Sequence, residues 1–255
     1  MKIGFIGCGN MGSALARAVA KAVNPEEIYL SGGSSNKAQL LALELGANSS
    51  TNMEIAKTCD YIFLGVKPKL ISVVLDEISN VLTEDQVVVS MAAGITVDEL
   101  TAKAGKAAVL RIMPNTPVAV GKGIILYCAG ATLTEDKLKG VLDSLAFAGK
   151  VDALPENLMN AGMALTGCGP AYVYMFMEAL ADGAVASGLP RDKAMAYAAE
   201  TILGAAELAI QTGKHPGTLK DEVASPGGAT IKGIYALEKG GMRGAVISAV
   251  LANKN

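Results

Sequence analysis

The residues best placed to do chemistry come first in the chain. Gly7-Cys8-Gly9-Asn10-Met11-Gly12 follows directly on the short apolar run Met1-Lys2-Ile3-Gly4-Phe5-Ile6, and residues 13–20 continue with the composition of a helix. A G-x-G-x-x-G turn between a strand and a helix is the form of a dinucleotide site. Gly7 permits the tight turn, Gly9 lets the backbone approach a pyrophosphate, and Gly12 lets helix and strand pack closely. The helix N-terminus would present free N–H groups and the positive end of its dipole to the phosphates. Glycine-rich turns also arise for purely steric reasons, so a merely structural strand–helix turn is the alternative.

Folds that prefer NAD place an Asp or Glu at the end of the second strand to bind the ribose hydroxyls. Here that strand runs into Leu30-Ser31-Gly32-Gly33-Ser34-Ser35-Asn36-Lys37, which contains no carboxylate. Its hydroxyls, amide and lysine suit an anionic 2′-phosphate, with Ser34 and Lys37 the named contacts. NADPH is therefore expected as the preferred reductant, with NADH a possible substitute. The same residues would also make a loop with helix-capping serines.

The usual acids for carbonyl reduction are missing. His215 is the only histidine and lies in Gly213-Lys214-His215-Pro216-Gly217, where a surface or capping role is expected. A lysine four residues after a second G-x-G, Gly167-Cys168-Gly169, would fall on Val173, and residues 151–190 contain no Lys, Arg or His. Reduction of a C=N bond fits better. An imine can be protonated in solution, which leaves the protein to align it against a nicotinamide.

These residues need a frame. Residues 27–31, 60–65, 86–90 and 108–112 are short, continuous and apolar, as buried parallel strands are, with helical stretches between them. Residues 123–127 and 150–152 would extend the sheet. The alternation predicts a doubly wound α/β (Rossmann-type) domain over 1–153, with ligands beyond the carboxyl ends of its strands. After Pro155 the strand-like runs stop, and Ala, Met, Leu and Glu recur at helical spacing. Residues 154–255 are thus expected to be all helical, broken at Gly188-Leu189-Pro190 and at 213–216, with a final helix from about Ala229 to Glu238.

Composition narrows the function classes. Half of the 255 residues are hydrophobic, yet only 4% are aromatic and tryptophan is absent. The balance of 22 − 24 = −2 gives no basic field for nucleic acid or an anionic membrane. Charges interrupt every apolar stretch before it reaches spanning length, and the first strand starts too early for a signal peptide. Burial of helices between subunits accounts for the high hydrophobicity. Cys8, Cys59, Cys128 and Cys168 form no C-x-x-C pair, and a single histidine argues against zinc. Reduced thiols, no metal site and a cytoplasmic location are expected.

Five further segments occur in order: Gly65-Val66-Lys67-Pro68, residues 90–94 (SMAAG), 113–117 (MPNTP), 165–172 (LTGCGPAY) and 223–230 (VASPGGAT). With the N-terminal glycines they resemble the pyrroline-5-carboxylate reductase family over essentially the whole chain. The resemblance implies hydride transfer from NAD(P)H to the C=N bond of 1-pyrroline-5-carboxylate, giving L-proline in a homodimer that can assemble further. It places Ile6, Gly7, Cys8, Gly9, Asn10 and Met11 at the pyrophosphate. Ser34 and Lys37 fall near the adenosine phosphate, and Asn52, Gly65, Val66, Lys67, Pro68, Met91, Ala92 and Ala93 along the rest of the cofactor. Asn115 falls near the nicotinamide. Ser225, Gly228, Ala229 and Thr230 would form the substrate pocket, reached across the dimer interface, with Thr230 hydrogen-bonding the ring nitrogen as the catalytic residue.

That last segment also makes sense physically. Pro226 suits a helix entry, and the N–H groups of Gly228, Ala229 and Thr230 would be free for a carboxylate at the positive dipole end. Ser225 and Thr230 would equally well cap and pack a helix. Thr166, Cys168 and Glu222 depart from the family pattern. A reductase of another cyclic imino acid, or a catalytically silent nucleotide sensor, are the alternatives.

Overall fold

The computed structural model describes residues 1–33 and 36–253; Ser34 lies outside the described residues. The chain forms two compact units, Met1–Gly167 and Cys168–Asn255.

The first unit is built on one eight-stranded sheet. Its strands are β1 (Ile3–Ile6), β2 (Ile28–Ser31), β3 (Asn48–Ser49), β4 (Tyr61–Leu64), β5 (Val87–Ser90), β6 (Ala108–Pro114), β7 (Gly123–Ala129) and β8 (Gly149–Ala153). The spatial order is β3-β2-β1-β4-β5-β6-β7-β8. Strands β1 to β6 pair parallel, as the unbroken apolar runs predict. β7 runs antiparallel to β6, and β8 parallel to β7.

Helices cover both faces. On one, α1 (Asn10–Val19), α2 (Lys37–Leu45) and α6 (Glu135–Ser144) pack on Ile3, Phe5, Leu30, Phe63, Val89 and Leu110. Phe5 and Phe63 stack there with ring centroids 4.7 Å apart. On the other face, α3 (Asn52–Thr58), α4 (Pro68–Ile78) and α5 (Val97–Thr101) pack on Ile6, Ile62, Leu64, Val88 and Val109. The chain leaves the sheet through α7 (Met159–Thr166). Strand order reverses between β1 and β4, which creates the crevice where open α/β sheets bind ligands.

The second unit is helical: α8 (Gly169–Ala186), α9 (Arg191–Thr212), α10 (Pro216–Val223), α11 (Ala229–Lys239) and α12 (Met242–Leu251). Gly213 ends α9 in a left-handed conformation. Ala181, Ala194 and Ala198 form its small core with Met177, Val185 and Leu189 around them. The expected final helix is present but is not final, because α12 follows one turn after it. The break expected at 213–216 runs directly into an unexpected helix, α10, capped by His215, whose Nδ1 accepts the Gly217 N–H at 3.0 Å.

Candidate active site

The loop after β1 carries the glycines, and Gly7 and Gly12 answer a conformational or steric need. Gly7 has φ +101°, open to glycine at little cost. A Cβ on Gly12 would stand 2.1 Å from the Gly7 carbonyl oxygen, and one on Gly65 2.4 Å from the same atom. The loops after β1 and β4 therefore touch backbone to backbone. A Cβ on Gly9, by contrast, would meet nothing within 4 Å. Gly9 is the N-cap of α1, with no side-chain cap and no acidic residue in the first turn. Open space in front of uncapped N–H groups is what a pyrophosphate requires.

Ser31 organises the floor of this loop. Its carbonyl accepts the Gly7 N–H at 2.9 Å and the Cys8 thiol at 3.4 Å. Its hydroxyl donates to Asn52 Oδ1 at 2.6 Å, and Asn52 Nδ2 donates to Glu77 at 2.8 Å. Asn52 is thus held in place from both ends of its amide. Burial pushes the Cys8 thiol up to about 11, so it is a neutral packing group rather than a nucleophile.

Between α1 and α2 lies a cleft of about 460 Å³, lined by Gly9, Asn10, Ser13, Arg17, Lys37 and Glu44 among others. Lys37 is the exposed first residue of α2. Arg17, two turns along α1, makes a bidentate pair with Glu44 at 2.7 Å for both bonds. Sequence reasoning singled out Lys37 and missed Arg17; its helical spacing from Asn10, seven residues on, was the available signal. The stretch from Gly32 to Lys37 that follows β2 contains no Asp or Glu, in keeping with a 2′-phosphate there.

The remaining cofactor positions lie at the carboxyl ends of neighbouring strands. Gly65 and Val66 follow β4, with exposed Lys67 as N-cap and Pro68 as first residue of α4. Met91, buried Ala92 and exposed Ala93 follow β5. Met91 N–H donates to Leu64 O at 3.3 Å, and Ala92 N–H to Ser90 Oγ at 3.3 Å. Asn115, after β6, is 8% exposed. Its amide holds backbone on both sides, donating to Thr166 O and accepting from Ile124 N–H, both at 2.9 Å.

The predicted substrate segment lies in the helical unit. Ser225 O accepts the Gly228 N–H at 3.1 Å across Pro226 and Gly227, and Gly227 has φ +69°. This is a type II turn, with proline and glycine in their preferred places. It corrects one expectation: Pro226 precedes the helix, and the Gly228 N–H is used locally. Gly228 is the N-cap of α11, leaving Ala229 and Thr230 as exposed first-turn donors. A Cβ on Gly228 would lie 2.4 Å from Ser225 Oγ, which would have to swing aside, and 3.2 Å from the Ser225 carbonyl oxygen. Of the family departures, Glu222 pairs with Lys214 at 2.6 Å, and the Thr166 hydroxyl donates to Gly162 O at 3.0 Å.

The helical unit exposes much apolar surface: Met175 is 70% exposed, Ile210 79%, Tyr235 68% and Ile247 60%. Patches of this kind mark association surfaces. Among the described residues no helix is long and apolar enough to cross a membrane, and no group of three or more His, Cys, Asp or Glu side chains is arranged to hold a metal.

A doubly wound sheet with an uncapped glycine turn at its switch point, followed by a helical unit with exposed apolar faces, is the frame of a dinucleotide-dependent oxidoreductase. The family described as pyrroline-5-carboxylate reductase dimerisation matches residues 156–255, and that described as NADP oxidoreductase, coenzyme F420-dependent, matches residues 2–94. The chain is 40% identical to pyrroline-5-carboxylate reductase of Escherichia coli (strain K12) over 98% of its length and 94% of that protein's. It is 42% identical to the Glycine max enzyme of the same name over 98% and 92%. The crystal structure of Plasmodium falciparum pyrroline carboxylate reductase with NADP bound superposes with a TM-score of 0.89 at 34% identity, covering 99% of this chain and 95% of that one. The chain belongs to the pyrroline-5-carboxylate reductase family.

Proposed function

We propose that the protein reduces 1-pyrroline-5-carboxylate to L-proline, with NADPH as preferred reductant and NADH as a possible substitute. The observation that carries this reading is the similarity to reductases of that name along nearly the full length of both chains. When bound, NADPH supplies the hydride that reduces the C=N bond. The chain's own groups bind and orient. First-turn N–H groups after Gly9 hold the pyrophosphate, and Lys37 with Ser34 holds the 2′-phosphate. Ile6, Asn52, residues 65–68 and 91–93, and Asn115 shape the rest of the groove. The N–H groups of Ala229 and Thr230, with Ser225 and the bare Cα of Gly228, take the substrate carboxylate, and the Thr230 hydroxyl hydrogen-bonds the ring nitrogen. Solvent provides the proton, since no acid is needed once the imine is oriented.

The 154–255 segment serves as the dimerisation and substrate-binding domain of a homodimer, which can assemble further in the cytoplasm. Its exposed apolar helices support this, because they require a partner surface.

NADPH oxidation, followed by absorbance with and without 1-pyrroline-5-carboxylate and repeated with NADH, tests the reading. Substrate-dependent oxidation, faster with NADPH, is expected. Tight NADPH binding without turnover of this imine would overturn the substrate assignment.

A further inference from the structure

Arg111 is a cation on a buried strand. It sits in β6, paired with Ser90 of β5 and Cys128 of β7, and its side chain is 4% exposed. Its Nη1 donates to Glu156 Oε1 at 2.8 Å, while its buried Nε–H has no partner. The Cys128 thiol beside it is pushed up by burial and then by the Glu156 carboxylate, and so stays neutral. Glu156 is the counter-ion.

The same Glu156 oxygen has a second task. It accepts the Val97 N–H at 2.7 Å, at the first residue of α5. Residues 91–96, between β5 and α5, are the loop that contains Met91, Ala92 and Ala93. That loop is pinned at its start by Met91 N–H on Leu64 O and Ala92 N–H on Ser90 Oγ. At its end the Thr96 capping box holds α5 locally, Val97 and Leu100 pack into the core, and the Val97–Glu156 hydrogen bond fixes the first backbone N–H of the helix to the rest of the unit. Glu156 opens the segment that becomes α7, whose last carbonyl, Thr166 O, is held by Asn115. One ion pair therefore fixes both the cofactor loop and the start of the chain's exit from the sheet.

We propose that Arg111 and Glu156 are positioning residues that hold the Met91–Ala93 loop in its cofactor-binding conformation, Arg111 by fixing Glu156 and Glu156 by fixing the Val97 N–H. This rests on the reading of residues 91–93 as cofactor contacts. Among the described residues Glu156 is the carboxylate hydrogen-bonded to Arg111, while Glu99 only feels its charge, so breaking the Arg111–Glu156 pair leaves a buried cation without its bonded counter-ion.

Three variants test it in the full-length protein. Glu156→Ala removes the acceptor, Glu156→Gln keeps an oxygen for Val97 N–H without the charge, and Arg111→Met frees a half-exposed Glu156. NADPH affinity is read from the cofactor's own fluorescence, unobscured by tryptophan, and backbone amide exchange is read across residues 91–101. Glu156→Ala should speed exchange at Val97 and in the loop, weaken NADPH binding several-fold and lower kcat by about tenfold or more. Glu156→Gln should recover most of the affinity, and Arg111→Met should fall between. If Glu156→Ala does not fold, Arg111→Met carries the same comparison. Loop exchange and NADPH affinity at wild-type values in the folded variants would overturn the proposal, even where thermal stability falls. Weaker NADPH binding in Glu156→Ala, with a wild type that turns over no 1-pyrroline-5-carboxylate, would sink the substrate assignment and leave the positioning role standing.

Discussion

The side-chain amide of Asn115 donates to the carbonyl of Thr166 at 2.9 Å, joining residues 51 apart in sequence. Its carbonyl oxygen accepts the Ile124 N–H at the same distance, so one side chain holds the end of β6, the start of β7 and the end of α7 together. Asn115→Ala leaves both backbone groups without their partner. We expect a loss of about 2 kcal/mol of stability, at the scale of unpaired buried groups, seen as a lower urea midpoint. Asn115→Asp keeps only the acceptor and should fall well short of wild type. A midpoint unchanged in both would mean that the amide is not structural.

Gly9 and Gly12 should separate fold from binding. The alanine Cβ at 12 would meet the Gly7 carbonyl at 2.1 Å, and backbone cannot give way as a side-chain tip does. Gly12→Ala should cost about 1–3 kcal/mol and NADPH binding with it. Gly9 has φ −75° and nothing within 4 Å of a Cβ. Gly9→Ala should keep the melting temperature and still weaken NADPH, because the methyl fills the approach to the α1 N-terminus. Parallel melting curves and cofactor titrations decide it.

How far these features were legible in the sequence depends on whether the signal is local. Residues 3–6, 61–64 and 87–90 read as strands because burial on both faces demands unbroken apolar runs. β3, two polar residues at the sheet edge, has no such run. The reversed direction of β7 is set by pairing with β6, and no residue type along 123–129 announces it. α10 was hidden behind His215-Pro216, which reads as a break yet is an N-cap and a first-turn proline. In the candidate site, the glycines, Lys37 and the 225–230 segment were visible because turn chemistry and charge are local. Asn115 was singled out, but its partners were not, since Thr166 comes near only through the fold. Arg111 and Glu156 carried no signal at all: one is a charge inside an apolar run, the other one acid among many.

Lys37 offers the clearest test of cofactor choice. It is exposed at the start of α2, on the rim of the cleft that Gly9 and Asn10 also line. A hydrogen bond from an ammonium to a phosphate contributes about 1.5–3 kcal/mol. Lys37→Ala should therefore raise KM for NADPH about tenfold or more and leave KM for NADH nearly unchanged. Equal rises for both cofactors would remove the 2′-phosphate contact.

The buried thiols set an alkaline limit. Burial pushes Cys8 up to about 11 and Cys59, aided by the Asp60 carboxylate, to about 12. Unfolded thiols ionise near 9, so above that pH the unfolded chain holds fewer protons than the folded one. Stability should fall as pH rises from about 9 towards 11, and Cys8→Ala should flatten that slope. Denaturant midpoints measured across this range, with alkylation rates of the native thiols, provide the check. A slope identical in Cys8→Ala and wild type would remove Cys8 from the account.

Thr230 is where activity and stability should part most cleanly. It lies in the first turn of α11, exposed, in a helix whose start has no side-chain cap. Alanine is at least as good a helix former there, so Thr230→Ala should melt as the wild type does. If its hydroxyl orients the imine nitrogen, kcat should fall by about 10- to 100-fold while NADPH affinity holds. Thr230→Ser, which keeps the hydroxyl and loses only a methyl, should recover most of the rate. Steady-state kinetics at saturating NADPH, with a melting curve for each variant, separate the possibilities. Wild-type turnover in Thr230→Ala would take the hydroxyl out of the reaction and leave Ser225 and the N–H groups of Ala229 and Thr230 as the substrate's anchors in this segment.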